Sequence, residues 1–129
     1  MSTVDWDALR MAAVRAAGQA YAPYSGLLVG VAAVVDDGRV IVGCNVENAS
    51  YGLGLCAECT MVGQLRLTGG GSLVAVACRS GNGDLLMPCG RCRQLLYEHG
   101  GPECVIDTPS GLLPMAAVLP DAFGPRDLP

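Results

Sequence analysis

At 129 residues and 51% apolar composition, the chain can bury its own core as one domain spanning residues 1–129, and its composition excludes disorder. A formal net charge of −4 leaves no cation surplus for a nucleic-acid polymer as partner. No stretch approaches the ~20 continuous apolar residues of a membrane span. The start, Met1 to Asp7, lacks the basic flank and apolar run of a signal peptide, so a cytoplasmic protein is expected.

Leu9, Ala12, Ala13, Ala16, Ala17 and Ala20 recur near helical spacing and predict an amphipathic helix over about Val4 to Tyr21, closed by Ala22-Pro23-Tyr24-Ser25-Gly26. Two β-rich runs follow, Leu27 to Val35 and Val40 to Val46. Asp36-Asp37-Gly38-Arg39 between them predicts a hairpin of two central antiparallel strands. A loop from Ala49 to Leu55 leads to a second helix, about Cys56 to Leu67, stopped by Gly69-Gly70-Gly71. Leu73 to Cys78 reads as a buried strand, Ser80 to Asp84 as a turn, and Cys89 or Gly90 to Glu98 as a third helix ending at His99-Gly100-Gly101. Cys104-Val105-Ile106 reads as a further strand, before a turn at Pro109-Ser110-Gly111. Helix, two strands, then helix-strand-helix-strand predicts an α/β sandwich with a mixed sheet.

Seven cysteines occur, four of them as two C-x-x-C pairs, Cys56/Cys59 and Cys89/Cys92. In a reducing compartment such pairs point to metal or redox chemistry rather than disulfides. Cys44, Cys78 and Cys104 stand within or beside apolar runs and read as small buried hydrophobes. If Cys56 and Cys89 each open a helix, the N-terminal N–H groups and dipole favour their thiolates. Cys92, one turn beyond Cys89, shares its face. Three sulfurs leave a fourth tetrahedral position open, the pattern of a catalytic zinc. Glu58, two residues after Cys56, projects differently and can move protons beside that position. Three thiolates over-neutralise Zn²⁺, so compensation is expected from the helix N-termini and from Arg91 or Arg93.

Two other readings of these cysteines stay open. All four can close a structural zinc site with Cys59 as fourth ligand, although the Thr60–Pro88 gap exceeds the ~15–20 residues usual in a ribbon. A redox dithiol is the third, without a thioredoxin-like start to support it. Among the other residues, Asn45 can cap a turn and Phe123 can anchor the tail. Glu47, a carboxylate closing an apolar strand, requires a partner. His99 reads as a helix-end cap.

Cys56-Ala57-Glu58 with Pro88-Cys89-Gly90-Arg91-Cys92 matches the all-cysteine form of the zinc deaminase signature. Tyr21-Ala22-Pro23-Tyr24-Ser25, Val29-Gly30-Val31-Ala32, Gly43-Cys44-Asn45-Val46-Glu47-Asn48, Ser50-Tyr51-Gly52, Arg93-Gln94-Leu95-Leu96 and Leu119-Pro120-Asp121-Ala122-Phe123 carry the likeness further. Over nearly its whole length the chain resembles the small, homotetrameric cytidine deaminases.

That resemblance implies a three-layer α/β/α sandwich on a roughly five-stranded mixed sheet, with one Zn²⁺ per subunit on Cys56, Cys89 and Cys92. It implies pyrimidine salvage: zinc-activated water attacks C4 of cytidine or deoxycytidine while Glu58 protonates N3 and then the departing amine. Asn45 and Glu47 are expected on the ribose 3′-hydroxyl, and backbone at Ala57 and Cys89 on the pyrimidine edge. The family builds each pocket with neighbouring subunits, so Ala49, Tyr51 and Phe123 are expected to serve a pocket other than their own. The chain departs from the family at Leu27, which keeps an apolar wall where an aromatic ring is usual. It departs again at Cys59, where many relatives carry Arg, which moves charge compensation toward Arg91 or Arg93. Two competing functions follow: deamination of another cytosine nucleoside, such as a blasticidin-type antibiotic, and a non-enzymatic zinc-binding module.

Overall fold

A computed structural model describes residues 3–129; Met1 and Ser2, part of the stretch read above for a leader, lie outside it. The first helix, α1 (Trp6–Ala17), starts where the Asp5 carboxylate accepts the Ala8 N–H at 3.1 Å, a capping bond for an otherwise unpaired donor. It ends four residues before the expected Tyr21. Gly18 closes it, and the Tyr21 N–H is instead bonded to Asn45 O at 3.0 Å. Strands β1 (Val29–Val35) and β2 (Val40–Cys44) pair antiparallel around Gly38, whose φ of +92° suits glycine. Helix α2 (Ala57–Leu67) and strand β3 (Leu73–Ser80) follow, then helix α3 (Gly90–Gly100) and strand β4 (Val105–Thr108). The third helix runs through His99 and Gly100 before Gly101, at φ +73°, turns the chain.

The sheet order is β2-β1-β3-β4-β5, where β5 is Gly111–Pro114. Only β3 and β4 run parallel, joined through α3; the other pairs are antiparallel. One expectation is corrected here. β1 is flanked on both sides, but β2 is an edge strand, and its partly exposed residues are consistent with that position. Strand β5 and the four-residue helix α4 (Met115–Val118) were not individually foreseen, because neither is long enough to show a period.

Alternation along β1 and β3 divides the core between two faces. Ala32, Ala75 and Ala77 meet Leu9 and Ala13 of α1. Val31, Ala33, Val76 and Cys78 face the other way, onto Met61 and Leu65 of α2 and Leu96 and Tyr97 of α3. This is the three-layer α/β/α arrangement. Met61, Leu65 and Leu96 are fully buried, each contributing about 1.5–3 kcal/mol by apolar transfer. Small residues set the spacing on both faces: a Cβ at Gly30 would stand 1.9 Å from Ala13 O, and one at Gly43 would stand 2.3 Å from Ala57 O. Buried Asp107 ties the α1 layer to the sheet, accepting from Arg10 Nε at 2.9 Å and from Arg79.

Because β1 runs against β2 and β3, its start lies beside their ends. The N-termini of α2 and α3 open at that same edge, and a pocket forms there.

Candidate active site

Helices α2 and α3 each have a cysteine as N-cap in extended conformation, Cys56 (φ −67°, ψ 157°) and Cys89 (φ −64°, ψ 168°). The unpaired N–H groups and positive dipole ends of two helices therefore converge on one region. Cys92 lies in the first turn of α3, fully buried. The sulfurs of Cys56, Cys89 and Cys92 all lie within 4.8 Å of one another, and Cys56 Sγ is 3.9 Å from Cys89 Sγ. Two sulfurs 2.3 Å from a tetrahedral zinc stand about 3.8 Å apart, whereas a disulfide needs about 2.05 Å. The soft, all-thiolate donor set also suits zinc. This geometry fits a three-cysteine zinc site. Burial pushes the Cys56 and Cys92 thiols up, while the Cys92 backbone N–H above all holds Cys89 below the ordinary thiol range. Metal binding replaces those protons, since the ligand form is the thiolate.

Glu58 is 3% exposed and lines the same pocket, of about 460 Å³, as the three cysteines. Burial pushes its carboxyl above the usual carboxylate range, toward the region where one group can both take and give a proton near neutrality.

Asn45 and Glu47 line the same pocket, on a segment held by backbone from two directions. Glu47 N–H donates to Tyr21 O at 2.8 Å, and Val46 exchanges bonds with Leu55 at 2.9 and 2.8 Å. Asn45 does not cap a following turn. Its Oδ1 accepts from Val29 N–H at 2.8 Å and its Nδ2 donates to Leu27 O at 2.9 Å. The Glu47 carboxylate accepts from the Tyr24 and Ser25 N–H groups at 3.0 and 3.1 Å and from the Ser25 hydroxyl. The Ser25 hydroxyl bond above all keeps Glu47 below the usual carboxylate range.

Leu27 and Ala57 also line the pocket, Leu27 at 50% exposure, and so does Tyr51, at 82% exposure, which places it at its own chain's pocket and not only at a neighbour's as expected. Ala49 and Phe123 are exposed and are not among the residues lining it; the Phe123 carbonyl accepts from Gln94 at 2.7 Å. Both arginines are engaged elsewhere than at the ligand sulfurs. Arg91 Nη1 lies 2.8 Å from Cys59 Sγ, and Arg93 donates to Pro88 O at 2.9 Å and Val118 O at 3.2 Å. Any compensation these two arginines give the ligand sulfurs therefore acts through space rather than through the hydrogen bonds they make. Cys59 stands outside the three-sulfur cluster.

Three contributors escaped the sequence reading. Ser25 bridges Glu47 and the Leu27 N–H, which its Oγ accepts at 3.0 Å. Thr60 pegs α2 to β2: its hydroxyl accepts from Cys44 N–H at 3.0 Å and donates to Cys44 O at 2.9 Å. Gly43 admits the helix backbone beside it. A serine in a turn and a threonine in a helix carry no sequence signal of this kind. The glycine inside a β-rich run is such a signal, since it marks a close backbone approach.

The model for the "cytidine and deoxycytidylate deaminase zinc-binding region" matches residues 4–108. A cytidine deaminase of Mycobacterium tuberculosis is 60% identical over 129 residues, covering 100% of this chain and 97% of that one. A crystal structure of that species' cytidine deaminase superposes with a TM-score of 0.92 at 61% identity, over 95% of this chain and 99% of its own. The structure of the Mycobacterium leprae cytidine deaminase gives 0.90 at 66% identity, over 92% and 100%.

Proposed function

This chain belongs to the cytidine deaminase family, and on that premise we propose that it hydrolyses cytidine and deoxycytidine to uridine and deoxyuridine plus ammonia, in pyrimidine salvage. One observation carries the reading: three convergent thiols and a buried carboxyl share a pocket with Asn45 and Glu47. One zinc per chain, on Cys56, Cys89 and Cys92, supplies Lewis acidity that makes water a nucleophile near neutral pH.

The chain's own groups do the rest. Glu58 accepts a proton from the attacking water and gives it to N3 of the base as the C4–O bond forms. It then accepts the remaining hydroxyl proton and gives it to the exocyclic nitrogen as the C4–N bond breaks, so water and cytidine become uridine and ammonia. Its raised proton affinity suits a group that must be base and acid in one cycle. Asn45 and Glu47 take the ribose 3′-hydroxyl, and backbone at Ala57 and Cys89 takes the pyrimidine edge. A site built for that hydroxyl rejects a bare base, because its polar groups would be left unpaired. Leu27 closes the apolar wall. Arg91 and Arg93 act beyond the ligands. The Arg91 charge reaches Cys56 and Cys92 through space from its seat on Cys59, and Arg93 holds Pro88 immediately before Cys89.

Residues 1–129 form one deaminase domain in this reading, and it assembles as a homotetramer with shared pockets. The exposed Tyr51, Leu53 and Phe123, with Phe123 59% accessible, support that assembly, as does the position of Ala49 and Phe123 outside the chain's own pocket lining. A cytoplasmic location is supported by three cysteines that must stay reduced to hold a metal. No described helix is long and apolar enough to cross a membrane.

The direct test follows the ultraviolet absorbance of cytidine with purified protein while zinc per chain is quantified. Uridine formation with about one zinc per chain is expected. Inert cytidine, with blasticidin S turned over instead, would overturn the reading.

A further inference from the structure

A carboxylate offers about four lone-pair positions, two on each oxygen. In Glu47, Oε1 accepts from the Tyr24 and Ser25 N–H groups at 3.0 and 3.1 Å and is thereby saturated. Oε2 accepts from the Ser25 hydroxyl, which leaves one position free. The same Ser25 oxygen accepts the Leu27 N–H at 3.0 Å, and Leu27 is part of the pocket wall. One hydroxyl therefore touches both the carboxylate that faces the sugar and the backbone that presents the apolar side chain.

We propose that Ser25 is a positioning residue for sugar recognition: by occupying one of the two lone pairs of Glu47 Oε2, it aims the other at the substrate's 3′-hydroxyl. The inference rests on the assignment of Glu47 to that hydroxyl. Without Ser25 Oγ, Oε2 has two open positions and water competes for both, while the two backbone N–H groups still hold Oε1. The chemistry at C4 is untouched, because Ser25 is not among the residues lining the zinc-side pocket. The loss therefore falls on KM rather than kcat. A threonine keeps the donor and the acceptor and restores the arrangement.

The test compares deoxycytidine with 2′,3′-dideoxycytidine, which lacks only the 3′-hydroxyl, on the wild-type protein and on Ser25→Ala, Ser25→Cys and Ser25→Thr. In the wild type, dideoxycytidine is expected to be the poorer substrate. Ser25→Ala should raise KM for deoxycytidine about tenfold, the effect of one hydrogen bond to a charged group. It should leave kcat within about twofold and KM for dideoxycytidine nearly unchanged. Threonine should restore the wild-type discrimination. Cysteine, a weak donor in the same place, should fall between, and it reads the same contrast if the alanine variant does not fold. Equal penalties on both nucleosides, or no penalty on either, overturn the role of Ser25 while leaving Glu47 in place. A wild-type protein that does not distinguish the two nucleosides overturns the Glu47 assignment itself.

Discussion

The two C-x-x-C pairs are alike in sequence and unlike in space. Cys56 and Cys89 cap their helices with nearly the same backbone angles, yet Cys92 is buried in the sulfur cluster and Cys59 is not part of it. The apolar stripe of each helix accounts for the difference. In α3 the buried positions are Cys92, Leu96 and Tyr97, so the third residue after the cap lies on the inward face. In α2 they are Ala57, Glu58, Met61 and Leu65. Cys59 therefore shares its face with the exposed Gly63 and Arg66, and the inward place goes to Glu58. Rotating one helix relative to the other thus exchanges a fourth thiolate for a proton-carrying carboxyl, leaving a zinc position open.

The contrast breaks most sharply at the second cysteines. Cys92→Ala should abolish both bound zinc and cytidine turnover, whereas Cys59→Ala should keep about one zinc per chain and most of the activity. Metal analysis beside a turnover assay reads both, and zinc loss from Cys59→Ala would restore the four-cysteine structural site. Next in size is Gly43→Ala. Its Cβ would meet backbone atoms, Ala57 O at 2.3 Å and Met61 N at 2.6 Å, so α2 must shift. A loss of about 1–3 kcal/mol is expected, together with lower kcat as Glu58 moves, measured by denaturant midpoint and turnover. Thr60→Val removes the hydroxyl that serves both Cys44 N–H and Cys44 O. About 1–2 kcal/mol should go, with no change in zinc content.

A pH-dependent effect, confined to alkaline solution, sets the core thiols apart from the ligand thiols. Burial pushes the Cys104 thiol from 9.0 up to about 12. The folded chain keeps this proton where the unfolded chain has released it. The stabilisation is therefore complete below pH 9 and is lost as pH rises toward about 12, by about 1.4 kcal/mol per pH unit for this one thiol. Cys104→Ala should remove that part of the alkaline slope in denaturation curves taken across the interval.

Much of this was legible in the residues because the strongest signals coincide with the site. Cysteine spacing placed both helix starts correctly, and the glycine run after Leu67 placed the end of α2. The stripe that separates Cys59 from Cys92 was also present in the sequence, as Met61 and Leu65 against Leu96 spaced from their cysteines. What escaped depends on contacts between segments distant in the chain. Arg93 reads as a cation near zinc until its carbonyl partners at Pro88 and Val118 appear. Arg91 reads likewise until Cys59, 32 positions away, takes it. The hairpin announced itself, but a sequence does not say which of two paired strands receives the next neighbour, so β2 proved to be the edge. Ser25 and Thr60 act through one hydroxyl each, and no periodicity marks them.

The most direct measurement is zinc content and cytidine turnover on the same sample of Glu58→Gln. Glutamine keeps the shape of the buried side chain and removes its ability to carry a proton. The account predicts about one zinc per chain, an unchanged fold, and kcat lowered by at least ~10²-fold. Turnover near the wild-type rate with zinc in place would contradict the role given to Glu58.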